Sequence, residues 1–277
     1  MSSPRFAWGK NWERFLTNLD HARIKQAETY LRKMLGAKNL KGKTFVDIGC
    51  GSGMFSLAAH RLGAKVHSFD FDPECVSCTK ELAAHFGELS LPAWRIETGS
   101  VLDDAYMAGL GKFDIVYSWG VLHHTGEMWR AIINASRVVG DGGLFYIAIY
   151  NDQGLQSRLW WVIKYIYNRL PRLLRPIYAI GLDVVVVGLL SFKYAVQGKL
   201  GWFLRQRLHL SKKGGPRGVK VYNTEIYDWY GGFPFEFATH AHVKDFVVAL
   251  GFRYVRGVQP GSLGCNEFVF QKTTRAN

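Results

Sequence analysis

The segment Val46-Asp-Ile-Gly-Cys-Gly-Ser-Gly53 predicts a short apolar strand that runs directly into three glycines spaced two apart. Glycine permits a tight turn and lets a ligand approach the main chain closely. The helix predicted from Met54 would present free backbone N–H groups in its first turn. This part of the 277-residue chain therefore predicts a strand, a ligand-binding loop and a helix in succession.

Two acidic residues and the glycine spacing indicate which ligand the loop suits. The spacing is G-x-G-x-G, and Met54 stands where the dinucleotide-binding pattern requires glycine. Asp47 precedes the loop, where a carboxylate would repel a pyrophosphate but suit a cation. Asp70 ends the next predicted strand, from which an acid can accept hydrogen bonds from ribose hydroxyls. We expect a ligand with a ribose and a positive charge, which disfavours an NAD-dependent oxidoreductase.

Strands and helices alternate along most of the chain, and this alternation predicts an α/β fold with a parallel sheet. A helix over 126–138 is expected to end near Gly140–Gly143. The last two strands are close enough in sequence to pair antiparallel. The predicted strands are Thr44–Ile48, Lys65–Asp70, Trp94–Thr98, Phe113–Ser118, Leu144–Ile149, Phe252–Val258 and Glu267–Gln271.

These features resemble the class I S-adenosylmethionine (SAM)-dependent methyltransferases. The Ser118–Thr125 segment is similar to that family's fourth-strand motif beside the methionine end of SAM, and Gly99-Ser100-Val101 lies where the family contacts adenine, although Asp is commoner than Ser100 there. The resemblance implies a Rossmann-like, seven-stranded, mostly parallel sheet with an antiparallel last strand. It implies SAM as cofactor and S-adenosylhomocysteine (SAH) as product. It assigns cofactor binding to Asp47, Gly49, Gly51, Gly53, Asp70, Phe71, Ser100, Val101 and Trp119.

The whole chain is also similar to a bacterial subgroup grouped with the ubiquinone-biosynthesis O-methyltransferases, through Trp8–Trp12 and Asp228–Glu236. We predict an N-terminal helical lid over residues 1–40, in which Trp8 and Trp12 could close over the cofactor. The methyltransferase core is predicted over 41–151 and 221–277, with a helical cap inserted after the fifth strand over 152–220.

Candidate catalytic residues follow the predicted fourth and fifth strands, where ligands of such sheets bind. His123 and His124 are candidates for a general base, because a neutral imidazole has a suitable pKa for accepting a hydroxyl proton. The favoured interpretation is that at least one of them lies in the acceptor pocket, and the alternative is that both are structural and close the turn before Glu127. Glu236 could orient the acceptor or a histidine, or lie on the surface, and Tyr222 comes from the same returning segment. Trp119 could stabilise the cofactor's cation with its ring, or simply pack.

The predicted cap is strongly basic. Residues 151–220 contain thirteen Lys and Arg but two acids, so +11 of the formal charge of +13 lies there. The apolar run 177–192 is shorter than the ~20 residues of a membrane span and contains Asp183. A buried cap helix is the favoured interpretation, and shallow docking on an anionic membrane surface is the second. Nucleic acid is a less favoured partner because no RNA-binding module is recognised.

We expect an enzyme that methylates a small, hydrophobic acceptor, with oxygen favoured as the acceptor atom. S-methylation of a small thiol, RNA methylation and a noncatalytic SAM-binding protein are the alternatives. Four scattered cysteines without an N-terminal apolar run favour a cytoplasmic protein, with peripheral membrane association as an extension. Cys75-x-x-Cys78 lacks a second ligand pair, so no metal is expected. The oligomeric state is left open.

Overall fold

A computed structural model of the protein describes residues 21–86, 94–205, 230–260 and 264–274. It contains the strands β1 Thr44–Ile48, β2 Lys65–Asp70, β3 Trp94–Thr98, β4 Phe113–Trp119, β5 Val139–Tyr150, β6 Phe252–Val258 and β7 Cys265–Lys272. These seven strands form one sheet in the order β3-β2-β1-β4-β5-β7-β6. Pairing between neighbours is parallel from β3 through β5, and β7 runs antiparallel to both β5 and β6.

Helices cover both faces of the sheet. The helices are α1 His21–Leu35, α2 Met54–Arg61, α3 Pro73–His85, α4 Asp104–Gly109, α5 Met128–Arg137, α6 Leu155–Arg169, α7 Arg175–Val196 and α8 His240–Ala249. Successive residues of β1 point to opposite faces, so Phe45 packs with α1 and α2 while Val46 packs with α4, α5 and α8. This arrangement buries the sheet in two apolar layers, as a largely parallel sheet requires.

The predicted α/β architecture is confirmed. The order in which the chain adds strands to the sheet reverses at β1. From β1 the strands lead outward through β2 to β3, and β4 then returns to the other side of β1. Such a switch point opens a crevice at the carboxyl ends of the strands. The residues that follow β1, β2 and β4 therefore meet at one edge of the sheet.

The start of β5 differs from the prediction. We expected a helix end and a turn at Gly140–Gly143, but β5 already begins at Val139, which pairs with Phe113. A Cβ on Gly143 would lie 3.0 Å from the carbonyl oxygens of Phe113 and Asp114. The glycines therefore permit close approach of the backbone at an irregularity in the β4–β5 register, a use that glycine has inside strands as well as in turns.

Helix α1 belongs to the core, although it falls within the segment predicted as a lid. Ile24, Ala27 and Leu31 are buried, and Ala27 and Leu31 pack with Phe45 of β1. The helix supplies one of the layers that cover the sheet. Trp8 and Trp12, the residues proposed to close over the cofactor, lie outside the described residues.

Helices α6 and α7 form a hairpin after β5, and its burial contradicts the favoured interpretation of the apolar run. Helix α7 is 22 residues long. Of its residues Ala179 is buried, whereas most of its apolar side chains are exposed or half-buried. The expected buried cap helix is therefore wrong. In the described part of the chain, α7 is the one helix long and apolar enough to cross a membrane, by length and composition. The run looked too short because the helix extends beyond it at both ends.

Candidate functional site

The glycine loop after β1 adopts a backbone that few other residues could adopt. Gly49, Gly51 and Gly53 all have positive φ angles, of 77°, 55° and 76°. A Cβ on Gly49 would lie 2.4 Å from Cγ1 of Val121, and one on Gly53 would lie 2.7 Å from Cγ2 of Thr79. The conformation and the crowding both require glycine. The loop leads into the N-terminus of α2, as the spacing predicted.

Asp70 ties the end of β2 to this loop. Its carboxylate accepts hydrogen bonds from the backbone N–H of Gly51 at 3.0 Å and of Asp72 at 2.9 Å. Burial raises the pKa of Asp70 to about 6, against the lowering effect of these hydrogen bonds. Asp70 is thus a desolvated acid beside the glycine backbone, a suitable place for a ligand hydroxyl.

Asp47 is buried at the end of β1 in a chain of hydroxyl groups. Ser56 Oγ donates to Asp47 Oδ2 at 2.5 Å, Ser68 Oγ donates to Ser56 Oγ at 2.7 Å, and Trp94 Nε1 donates to Ser68 Oγ at 2.8 Å. Burial raises the pKa of Asp47 to about 7, with the Ser56 hydrogen bond lowering it and Asp70 raising it further. A buried carboxylate with a raised pKa gains strongly from a cation beside it.

These residues fit a cofactor that carries a positive charge and a ribose. Asp47 would bind the cationic amino group, Asp70 would accept from the ribose hydroxyls, and Gly49 and Gly51 would let the backbone approach. The fit depends on the two desolvated acids and on a loop whose left-handed glycines form its turn.

The other predicted cofactor residues lie at the same edge of the sheet. Phe71 follows β2 and is 60% exposed, while Val101 is buried after β3. Ser100 Oγ accepts the backbone N–H of Leu102 at 3.2 Å, so its hydroxyl shapes the turn after β3. Trp119 ends β4 and packs, half-buried, against the cluster that includes α1 and α2. The described structure thus brings the predicted cofactor residues to the carboxyl ends of β1 to β4.

The two candidate histidines lie in a 3₁₀ turn after β4, at Leu122–His124. Their ring centroids are 4.4 Å apart, and the His123 ring lies 4.1 Å from that of Tyr150 at the end of β5. His123 Nδ1 accepts the Tyr150 backbone N–H at 3.3 Å. His124 Nδ1 donates to the carbonyl of Pro234, which fixes the tautomer with its lone pair on Nε2.

Both imidazoles are held neutral. Burial, together with the charge of Lys164, lowers the pKa of His124 to about 3, although the hydrogen bond to Pro234 opposes this shift. Burial, His124 and Lys164 hold the pKa of His123 well below its ordinary value. Two neutral rings beside a cation favour an acceptor that becomes negatively charged as it reacts.

Lys164 is a member of this site that the sequence analysis missed. It lies on α6 and is 3% exposed, with its Nζ 5.0 Å from the centroid of the Phe235 ring and 5.9 Å from that of Tyr150. In the sequence it was counted within the basic patch of the cap. Its position relative to two aromatic residues could have indicated that it is buried, because Trp160 and Tyr167 lie on the same apolar helix face at i−4 and i+3.

Glu236 contacts the histidine turn through its backbone and caps a helix with its side chain. Its carboxylate accepts the backbone N–H groups of Gly126 at 2.9 Å and Met128 at 3.1 Å, and its own N–H donates to the carbonyl of His123 at 3.0 Å. The sequence offered two interpretations, that Glu236 orients an acceptor or a histidine or that it lies on the surface; the structure places the carboxylate on the first turn of α5, where backbone donors attract it. Tyr222, the other catalytic candidate, lies outside the described residues.

The site is built from side chains and backbone groups. Within the described ranges, no group of three or more His, Cys, Asp or Glu residues could hold a metal ion. Cys75 and Cys78 are buried on α3 and are not joined to each other by a disulfide. Burial raises the pKa of the Cys75 thiol, so it is a poor thiolate source.

Known proteins share this sequence pattern and fold. A family model described as a methyltransferase domain matches residues 19–176, more than half of the chain. The ubiquinone biosynthesis O-methyltransferase of Methylobacterium sp. (strain 4-46) is 35% identical over 143 residues, which are 51% of this chain and 55% of that protein. The ribosomal protein L11 methyltransferase of Helicobacter hepaticus is 31% identical over 115 residues, 41% of this chain and 31% of that protein. The chain thus spans about half the length, or less, of these curated relatives.

A solved structure supports the fold over nearly the whole chain. Magnesium protoporphyrin IX methyltransferase from Synechocystis PCC 6803, solved with bound SAH, superposes with a TM-score of 0.55 at 14% identity, covering 95% of this chain and 94% of that one. The family match, the sheet order and the Asp47–glycine–Asp70 arrangement agree with one another. The chain belongs to the class I SAM-dependent methyltransferases.

Proposed function

We propose that the enzyme methylates an oxygen atom of a small, hydrophobic acceptor that binds beside His124 and Lys164. The observation that carries this proposal is the buried lysine next to two neutral imidazoles at the carboxyl ends of β4 and β5. Ubiquinone biosynthesis O-methyltransferases among the partial relatives support oxygen as the acceptor atom.

The acceptor's surroundings are aromatic. Tyr150 lies against His123 on one side and against Phe235 on the other, with ring centroids 4.1 Å and 4.9 Å apart. Phe235 belongs to a cluster in which α6 and α7 pack on the segment that precedes α8. Such rings suit an apolar ring or chain. The cluster comprises Trp160, Tyr167, Ala179, Tyr230, Phe233 and Phe235.

The chain's residues have separable roles in this proposal. Bound SAM supplies a methyl group on a positively charged sulfur, which becomes a neutral thioether when the methyl leaves. Asp47 and Asp70 hold the cofactor, and the glycine loop lets it lie against the backbone. Alignment of acceptor oxygen and methyl group is the main source of rate enhancement in such a displacement.

Proton removal involves His124 and Lys164. The acceptor O–H proton moves to Nε2 of His124 as the new O–C bond forms, and Lys164 stabilises the negative charge that develops on the oxygen. The low pKa of His124 keeps its lone pair available at neutral pH, and negative charge on the acceptor raises that pKa during the reaction. His123 positions its neighbour through the packed rings of the pair.

Methyl-labelled SAM, incubated with the enzyme and a bacterial extract, tests the proposal through the fraction that gains label. We expect label in the organic phase. Label in RNA or in a volatile thioether would overturn oxygen methylation of a lipophilic acceptor. SAH binding without any labelled product, in extracts that support control methyltransferases, would favour a noncatalytic protein.

Variants test the assigned residues. Lys164→Met and His124→Gln should each lower kcat by about 10²-fold or more, the range of a positioned acid–base group, while SAH affinity stays unchanged. Lys164→Met should also move the pH–rate profile to higher pH, since the acceptor then ionises without the cation. Lys244→Met is the matched control, because Lys244 Nζ also lies over an aromatic ring, 5.4 Å from the Tyr254 centroid, on α8. Equal loss in this control would argue against a specific role of Lys164.

A further inference from the structure

Helix α7 presents an apolar face that the described structure leaves exposed. The outward side chains recur at helical spacing, and Leu189 and Phe192 are 67% and 72% exposed. An exposed apolar face of this length is unusual in a soluble monomer and marks an interaction surface. The outward residues are Ile177, Ile180, Val184, Val185, Leu189, Phe192 and Val196.

Helix α6 and the turn of the hairpin add to this surface. Four exposed aliphatic residues of α6 follow the spacing i, i+4, i+7, i+11, which places them on one side of the helix. The turn between the helices exposes Leu173 by 87%. The α6 residues are Leu155, Leu159, Val162 and Ile166. We call these residues, together with those of α7, the hairpin face.

Positive charge surrounds the hairpin face. Basic residues lie at the turn between the helices and beyond the last turn of α7, whereas the acids of residues 151–220 are Asp152 and Asp183. Asp183 is half-buried, and its Oδ1 accepts from the hydroxyl of Tyr230 at 3.4 Å on the packed side of α7. Apolar area bordered by cations complements an anionic lipid surface. The bordering cations, all exposed, are Arg158, Arg169, Arg172, Lys193, Lys199 and Arg205.

The packing of α7 favours an orientation along the membrane plane. Ala179 is buried and Tyr178 and Leu182 pack against the aromatic cluster, so one side of the helix is attached to the protein. A spanning helix would have to separate this side from the core and expose Asp183 to lipid, which is costly. The opposite side is the one available for shallow insertion.

We propose that the hairpin face docks this protein peripherally on an anionic lipid bilayer, with α7 lying in the interface and its outward side chains inserted among the acyl chains. Docking does not depend on the proposed oxygen methylation. Helix α6 would contribute to both surfaces, since it carries Lys164 on its buried side and Leu159 and Val162 on its exposed side.

Vesicle flotation of the full chain tests the proposal directly. Phosphatidylcholine vesicles are compared with vesicles that also contain phosphatidylglycerol, at low and high salt. We expect at least about tenfold stronger partitioning on the anionic vesicles, weakened by salt, because each basic residue near such a surface contributes about 1 kcal/mol. Equal partitioning on both vesicles, or none on either, would overturn the proposal.

Surface variants separate the apolar and the charged contributions. Leu189→Asp combined with Phe192→Asp should abolish flotation, and Arg172→Ala combined with Lys199→Ala should weaken it about tenfold or more on anionic vesicles. Val248→Asp is the matched control, because Val248 is an exposed apolar residue on α8 (43%), outside the hairpin. SAH binding should be unchanged in all variants, which shows that they fold. If the Leu189 and Phe192 pair instead dissociates a dimer of the wild type and leaves vesicle binding intact, the face binds a second copy and the proposal fails.

Discussion

Val121 packs so closely on Gly49 that only the absence of a side chain at Gly49 allows the contact. A Cβ at Gly49 would lie 2.4 Å from Cγ1 and 2.6 Å from Cγ2 of Val121, distances that real side chains do not adopt. Val121 directly precedes the turn that carries His123 and His124. The cofactor loop and the proposed acceptor site therefore share one packing contact.

Replacing Gly49 should damage both sites, and the chain offers a close control. Gly42 has nearly the same φ angle, 75° against 77°, but nothing lies within 4 Å of a Cβ built on it. Gly42→Ala should cost about 1–2 kcal/mol from the left-handed backbone alone. Gly49→Ala should cost more in urea unfolding and weaken SAH binding at least tenfold. Adding Val121→Ala should restore part of both losses; equal effects of the two glycine variants would contradict the argument.

Asp47→Asn should stabilise the cofactor-free enzyme while weakening cofactor binding. The folded pKa of Asp47, about 7, lies above the ordinary aspartate value of 3.8, so the ionised carboxylate destabilises the fold. This penalty is absent below the unfolded pKa, grows as pH rises and is complete above about 7. Thermal unfolding near pH 8 should show a gain on the order of 2 kcal/mol for Asp47→Asn, shrinking toward pH 5. Ser56→Ala is the control for the lost hydrogen bond, and it should not stabilise.

The affinity for SAH should rise with pH in the weakly acidic range. Asp47 and Asp70, with pKa values of about 7 and about 6, bind a cationic group and hydroxyls best when ionised. Affinity should increase from about pH 5.5 upward, by at most about tenfold per pH unit for each group that ionises, and level off above about pH 8. Calorimetric titration measures this dependence. In Asp47→Asn the remaining rise should come from Asp70 at lower pH; an unchanged profile would exclude Asp47 as the titrating group.

Removing the Glu236 carboxylate should loosen the start of α5. Glu236→Ala leaves the backbone N–H groups of Gly126 and Met128 without this acceptor and should cost about 1–2 kcal/mol in urea unfolding. Glu236→Gln keeps an oxygen acceptor and should cost less. Glu127→Ala is the control, because Glu127 pairs with Arg130 at the exposed surface and should change stability by under about 0.5 kcal/mol. A greater loss in the control would contradict the capping role.

Patterns that span a few residues were predictive here. Strand β1, the three glycines and Asp70 were all identified in place, because a short, continuously buried strand and left-handed turns both constrain which residues stand next to one another. The histidine turn after β4 was predicted for the same reason. The turn predicted at Gly140–Gly143 was wrong, because a glycine run has the same composition in a turn and in a strand that approaches another backbone.

Such patterns could not predict contacts between segments that are far apart in the sequence. Glu236 reaches α5 across 110 residues of sequence, and Lys164 reaches the histidines through a helix inserted after β5. The exposure of α7 also could not be predicted, since an apolar helix has the same composition whether it meets a core or a lipid surface. Local sequence thus determined the sheet, the cofactor loop and its acids, because backbone geometry depends on nearby residues. Tertiary packing decided which side chains share the acceptor site and which apolar face stays outside, because burial depends on what the rest of the chain brings alongside.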